Sequence, residues 1–175
     1  MTSNTLPSAA DGVDADPTAA NPLALERQVC FALAVASRSV IGVYRPVLER
    51  LGLTHPQYLV MLALWEESPL SVSDVARLLQ LDLATASPLI KRLEGLGLVD
   101  RRRDPADERT LRVTLTDAGR ELRTEALEVP GTVMGRLDLT LEDVRTLHAA
   151  LTPLIAKSRV AQAAARQVGV PAPPS

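Results

Sequence analysis

The chain is poor in the residue types that carry most protein chemistry. It holds one cysteine, Cys30, so no intramolecular disulfide can form within it. Its two histidines, His55 and His148, stand far apart in sequence. One Cys and two separated His make no recognisable zinc pattern, and neither a metal nor a cofactor is expected. Aromatics are confined to Phe31, Tyr44, Tyr58 and Trp65, which argues against single-strand nucleic acid binding by base stacking. An excess of one charge is lacking too: 19 Lys and Arg against 21 Asp and Glu leave a net charge of −2. Any grip on an acidic partner must come from local clusters of arginine. No signal peptide opens the chain and no apolar run approaches the length of a membrane span, so a cytoplasmic protein without a membrane partner is expected. At 175 residues the chain is one domain's worth, with a core able to fold alone or across a dimer interface.

What is there is concentrated between Ser71 and Leu115. Ser71 is placed to cap a helix, with Asp74 three residues on, and Val72, Val75, Ala76, Leu78 and Leu79 follow as an inward stripe at helical spacing. Gln80-Leu81-Asp82 makes a turn. A second helix runs from about Leu83 to Leu96, with Leu89, Ile90, Leu93 and Leu96 facing the core and Thr85, Ser87, Lys91 and Arg92 facing out. Short hydroxyls near the start of such a helix suit base edges and phosphates, and the later cations suit phosphate. Asp82 and Pro88 belong to the same helix start, where proline is best tolerated. Gly97 closes the helix as a C-cap glycine.

A hairpin follows, Leu98–Arg102 and Thr110–Leu115, whose second arm alternates Leu111, Val113 and Leu115 with Arg112 and Thr114. The tip carries Arg101, Arg103, Asp107 and Arg109 among other charges. Arg109 would enter a minor groove, with Asp107 holding its guanidinium extended through an ion pair. Helix, turn, helix and basic hairpin in this order form a device for reading duplex DNA. The alternative, that the charges merely solvate an exposed hairpin, leaves that order unexplained.

Around this unit, residues 1–22 are rich in Ala, Asp, Pro, Ser and Thr and are expected to form a disordered tail. A helix is predicted from about Leu23 to Ile41, a short one from Tyr44 to Leu51, and a third from Thr54-His55-Pro56, its nearly continuous apolar run implying burial on most sides. Thr116 caps the helix after the hairpin, and Pro130-Gly131 breaks or kinks it. Thr140 starts the last helix, whose stripe is Val144, Leu147, Leu151, Leu154 and Ile155. From about Lys157 to Ser175 a helix end and an Ala- and Pro-rich disordered tail are expected. The fold class is thus mainly α with a small β-wing. A winged helix-turn-helix domain spans 23–156, with its DNA-reading unit at 71–115 and dimerisation helices at 23–51 and 117–156. The terminal helices carry more apolar surface than so small a core needs. A two-fold homodimer would use the surplus and present two recognition helices to a palindromic operator, about 34–36 Å apart for adjacent half-sites.

This order, with DERTLRVTLTDAGREL closing the wing and opening the next helix, resembles the MarR family of dimeric winged-helix regulators over roughly Leu23 to Ala156. The resemblance extends to the organic-hydroperoxide-sensing OhrR subgroup through Gln28–Leu33, Ala36–Arg38, Tyr44–Leu48, Leu51–Thr54, Pro56–Leu62, Leu64–Glu66, Pro88–Glu94 and Val129–Gly135. It implies that Cys30 is the redox sensor of a one-cysteine repressor, and that Tyr44 and His55 are hydrogen-bond partners of its sulfur. An organic hydroperoxide would oxidise the thiolate to a sulfenic acid, and a low-molecular-weight thiol would then form a mixed disulfide. Two positions depart from the subgroup pattern. The residue four after the cysteine, usually Tyr, is Ala34, and the Tyr that usually follows the Leu-Thr pair is His55. A protonated His55 would lower the pKa of a nearby thiol. Leu83 and Ala84 replace smaller or more flexible residues at the recognition-helix start, so operator preference is expected to differ.

Two other classes compete. A MarR-type regulator answering to a small lipophilic or phenolic ligand would leave Cys30 as an inert core thiol. A thiol peroxidase would need a resolving cysteine and a Thr/Arg arrangement that the sequence does not show, so no enzyme is expected.

Overall fold

The computed structural model describes residues 21, 23–104 and 107–167; the side chains of 104, 107–109, 166 and 167 lie outside that description. The expected disordered stretches at 1–22 and 168–175 therefore fall, but for Asn21, outside the described residues. The chain divides into two compact units, residues 1–41 and 42–175.

In the first unit a short 3-10 turn at Leu25–Arg27 precedes the start of α1, which spans Val29–Leu48. Leu33, Val35, Val40 and Ile41 are exposed apolar residues on it, and Cys30 is exposed. The expected break between two helices near residue 42 is absent. Pro46 lies inside the last turn of α1, where it forfeits the bond to the carbonyl four residues back. Val47 and Leu48 are buried just beyond it, and their burial holds the helix together past the proline. A 3-10 turn at Glu49–Leu51 then ends on Gly52, at φ 66°. The stretch Val29–Leu51 is also long and apolar enough, by composition, to cross a membrane. That reverses the expectation that no apolar run reaches this length. Its Ala, Val and Ile residues raise the hydropathy, and an interface helix has the same composition.

In the second unit, α2 covers His55–Glu66. Its start is fixed by Gln57, whose side-chain oxygen accepts from both the Thr54 backbone N–H and the Thr54 hydroxyl at 2.8 Å. Tyr58, Val60, Met61 and Leu64 are buried, while Leu62 is 40 % exposed, so α2 has one open side where burial on most sides is expected.

The helix-turn-helix comes next. Strand β1 is the pair Leu70–Ser71, and α3 is Val72–Leu79. Ser71 Oγ accepts from the Asp74 N–H at 3.0 Å and donates to its carboxylate at 2.7 Å, as a capping serine should. Gln80 takes the left-handed conformation at φ 56° and turns the chain. Helix α4 is Leu83–Gly95, with Asp82 accepting from the Thr85 N–H at 2.7 Å. Gly97 at φ 72° closes it, its N–H bonded to Glu94 O and the Leu98 N–H to Leu93 O. Two expected core residues are exposed instead: Leu78 at 47 % and Leu96 at 51 %. Val75 and Ala76, both buried, fill the inner face of α3. Leu96 lies past the last helical residue, where the helical period no longer applies.

Strands β2 (Val99–Asp104) and β3 (Asp107–Leu115) form the hairpin, and β1 adds to the other edge of β3. The register pairs Val99 with Leu115, Arg101 with Val113 and Arg102 with Arg112. Leu48, Val60, Met61, Leu64, Val75, Ile90, Leu93, Val99 and Val113 are fully buried, so helices and hairpin share one core.

Thr116 caps α5 (Asp117–Ala126) by accepting from the Gly119 N–H at 3.0 Å. The expected interruption falls at Leu127–Glu128, after which α6 spans Val129–Arg136 with Pro130 in its first turn. Thr140 and Asp143 exchange bonds at the start of α7, Leu141–Gln167. Helix α7 runs ten residues beyond Lys157, because the Ala-rich stretch there has high helix propensity. Its stripe, Val144, Leu147, Leu151, Leu154 and Ile155, is 37–51 % exposed.

Helix α5 is joined both to α2 and to the base of the hairpin. The Trp65 indole N–H donates to Gly119 O at 2.8 Å, and Gly119 lies against the Leu98 backbone so closely that a methyl group there would run into the Leu98 carbonyl. Gly119→Ala should therefore lower stability by ~1–3 kcal/mol as backbone is forced to shift. A urea titration followed by circular dichroism tests this; an unchanged midpoint would show that the joint can move freely.

Candidate DNA-reading surface and sensor residues

The outward face of α4 is arranged as a recognition helix requires. Ala86, Leu89, Ile90 and Leu93 are buried, and this fixes the rotation of the helix. Thr85, Ser87, Pro88, Lys91 and Arg92 are consequently all exposed. Asp82, also exposed, spends one carboxylate oxygen on the Thr85 N–H, so its first task is to begin the helix.

The wing divides its arginines by strand parity. Val99 and Val113 are buried, so Arg101, two residues after Val99 and opposite Val113, starts from the inward face of the hairpin. Its guanidinium turns to Glu94 at the end of α4, with Nε donating to Oε2 at 2.8 Å and Nη2 to the same oxygen. Arg101 is thus held inside the unit, whereas the sequence groups it with the DNA-facing cations. Arg102, not among the expected contacts, is turned outward, 79 % exposed and 3.5 Å from Asp100. The parity of Val99 in the sequence already carries that signal. Arg103 is exposed on β2. The backbone of Asp107 and Arg109 lies in β3, and the expected ion pair between them falls on side chains outside the described residues.

Several carboxyls titrate below their ordinary range. The hydrogen bond from Arg101 holds Glu94 down, the Ser71 hydroxyl and Arg77 do so for Asp74, and Thr140 does so for Asp143. All three therefore stay ionised at neutral pH.

The expected sensor residues lie on both units. Cys30 is exposed on the early part of α1 in the first unit. In the second, Tyr44 and His55 meet edge-on with ring centroids 5.4 Å apart, and the contact continues through Tyr58 at 6.2 Å to Trp65 at 6.3 Å. Burial pushes the His55 pKa down. A neutral imidazole therefore prevails at neutral pH, and it can lend an N–H but not a positive charge. Burial, with Tyr44 nearby, raises the Tyr58 pKa. Beside this aromatic row an open groove of about 500 Å³ is lined by Tyr58, Leu62, Trp65, Arg123 and Leu127. Among the described residues no group of three or more His, Cys, Asp or Glu could hold a metal ion.

An exposed recognition helix, capped at its N-terminus and followed by a cationic hairpin on one core, defines a winged helix-turn-helix transcriptional regulator that binds DNA. Residues 53–111 match the MarR family. The chain is 40 % identical over 131 residues to the organic hydroperoxide resistance transcriptional regulator of Bacillus subtilis (strain 168), covering 75 % of this chain and 89 % of that one. The chain belongs to the MarR family. Its fold is similar to that of reduced AbfR bound to DNA (AbfR of Staphylococcus epidermidis), with TM-score 0.65 and 33 % identity over 76 % of this chain and 93 % of that one. It is also similar to CouR from Rhodococcus jostii RHA1 bound to p-coumaroyl-CoA, with TM-score 0.64 and 27 % identity over 75 % and 94 % of the two chains.

Two predictions follow from the charges at these sites. Replacing Lys91 or Arg92 by Ala should reduce the slope of log K against log salt by about 0.9 per lost phosphate contact. A binding series at several salt concentrations measures this, and an unaltered slope removes the phosphate role. The second concerns acid. His55 has its folded pKa below its ordinary 6.5, so the unfolded chain takes up the proton first. Its contribution to stability is complete above pH 6.5 and is lost as pH falls through that value. His55→Gln should flatten that part of the urea-midpoint-against-pH curve; an unchanged curve would assign the loss to other groups.

Proposed function

We propose that this protein is a homodimeric repressor that releases its operator when an organic hydroperoxide oxidises Cys30. What carries the reading is the position of the chain's one cysteine, exposed on α1, in a chain whose curated relative is an organic hydroperoxide resistance regulator. The chemistry balances with one thiol. The Cys30 thiolate attacks the terminal peroxide oxygen, the O–O bond breaks, and the alkoxide leaves and takes a proton to become an alcohol. Sulfur is oxidised to sulfenic acid as the peroxide is reduced. A low-molecular-weight thiol then displaces water from the sulfenic acid and forms a mixed disulfide, a role a second cysteine would otherwise fill. Tyr44 and His55 carry the hydroxyl and ring N–H that such a sulfur would use as donors. The protein is a cytoplasmic switch that reacts once per signal, not a peroxidase.

The dimer rests on surface. Leu33, Val40 and Ile41 on α1 and Leu147, Leu151 and Ile155 on α7 stay exposed in a single chain. A second copy would cover them and present two copies of α4 to a palindrome. The wing would contribute through Arg109 entering a minor groove.

A second reading is favoured by the groove beside Trp65, whose aromatic and apolar lining suits a phenolic ligand, with Arg123 and Glu66 as its charged members. CouR was solved with such a ligand. In this reading Cys30 takes no part.

A mobility-shift titration on the DNA upstream of the protein's own gene, with and without cumene hydroperoxide, separates the two. Wild type should be released and Cys30→Ser retained at unchanged affinity. Retention of both points to the ligand, and release of both removes Cys30 from the mechanism.

A further inference from the structure

We propose that Glu94 and Arg101 form a strut that aims the wing, and that Arg101 acts on DNA recognition through the wing and not by touching DNA. The inference rests on the reading that the wing contacts DNA through Arg109.

The two residues belong to different parts of the reading surface. Glu94 is in the last turn of α4, and Arg101 is the third residue of β2. The backbone between them turns sharply at Gly97, where the Gly97 and Leu98 N–H groups bond back to Glu94 O and Leu93 O. Those bonds fasten the base of the hairpin at one place. Strand β1 holds the β3 edge of the hairpin at Val113 and Arg112, while the β2 edge, fastened only at its base, can still swing away from α4. The bond from Arg101 Nε to Glu94 Oε2, 2.8 Å long, ties the ribbon to the helix a second time, two residues beyond buried Val99. Two fastenings fix the angle between wing and recognition helix, and every cation further along the hairpin inherits that angle.

The register leaves Arg101 little freedom to do anything else. It faces inward opposite fully buried Val113, and its side chain is 22 % exposed against 79 % for its neighbour Arg102. An apolar residue in place of Glu94 would leave the guanidinium without that acceptor in a half-buried place, and Gln would weaken the bond by removing its charge. The pair is open enough to water that its worth to overall stability is small. Its effect is therefore expected in DNA recognition, which needs two elements held in one geometry.

Lys91, one turn before Glu94 on α4, also bears electrostatically on that carboxylate. With Arg101 removed, Glu94 becomes available to Lys91 and draws it away from phosphate. That effect is separable, because it persists when the wing is disabled.

The experiment is a double-mutant cycle in the full chain, with fluorescence-anisotropy titrations on the protein's own upstream DNA. Arg101→Ala should weaken binding roughly tenfold, as loss of a groove contact would, with a melting temperature within about 3 °C of wild type. In an Arg109→Ala background the same change should cost much less, leaving only the small loss that comes from Lys91 being drawn to Glu94. Glu94→Arg combined with Arg101→Glu should recover most of the lost affinity. Should Arg101→Ala destabilise the fold, Glu94→Gln keeps size and shape and carries the cycle instead. Multiplying effects of Arg101→Ala and Arg109→Ala would overturn the strut and make Arg101 an independent contact. Wild-type affinity in Arg101→Ala would overturn it outright. Wild-type affinity in Arg109→Ala would remove the wing reading itself, and the strut with it.

Discussion

The structure turns on the close approach of Gly119 to Leu98. At that point the hairpin leaves the recognition helix, the following helix begins, and the Trp65 indole closes the joint by donating to Gly119 O. A side chain at 119 would separate the backbones. With none, α5 starts hard against the base of the wing, capped by Thr116, whose hydroxyl also bonds Gly97 O at 2.7 Å. The same few residues therefore end the recognition helix, begin the wing and launch the helix that leaves the DNA-reading unit. The burial of Ile90, Leu93, Val99 and Val113 works only because this corner keeps helix and sheet on one core.

Upstream of the corner runs a row of rings. His55, Tyr44, Tyr58 and Trp65 are in successive contact, and the last bonds to the joint. Packed rings transmit displacement better than flexible side chains, since each has few rotamers to absorb it. A change at Tyr44 or His55 thus has a rigid route to the corner that sets wing and recognition helix. A ligand in the adjoining groove would lie directly against this row.

Much of this was legible in the sequence, and the failures have physical causes. Caps are the surest marks: Ser71, Thr116 and Thr140 each begin the expected helix, because a short side-chain acceptor at that place satisfies a backbone donor nothing else reaches. Gly97 was legible for the same reason at the other end. The misreadings came where tertiary packing overrules a local signal. Pro46 is a helix breaker locally, yet buried Val47 and Leu48 carry α1 through it. Leu78 and Leu96 are apolar enough for a core that had no room for them. Arg101 was read by its charge, when the parity set by Val99 assigned it inward. Gly119 gave no sequence signal, since only the structure shows what its missing side chain makes room for.

Trp65 is the chain's one tryptophan, and it occupies the joint. Excited beyond the tyrosine absorption band, ultraviolet emission from this protein consequently has a single source, half-buried, hydrogen-bonded to Gly119 O and flanked by Tyr58. Its wavelength and intensity depend on whether that bond and that burial persist. The molecule thus carries a native optical probe at the corner where recognition helix, wing and α5 meet.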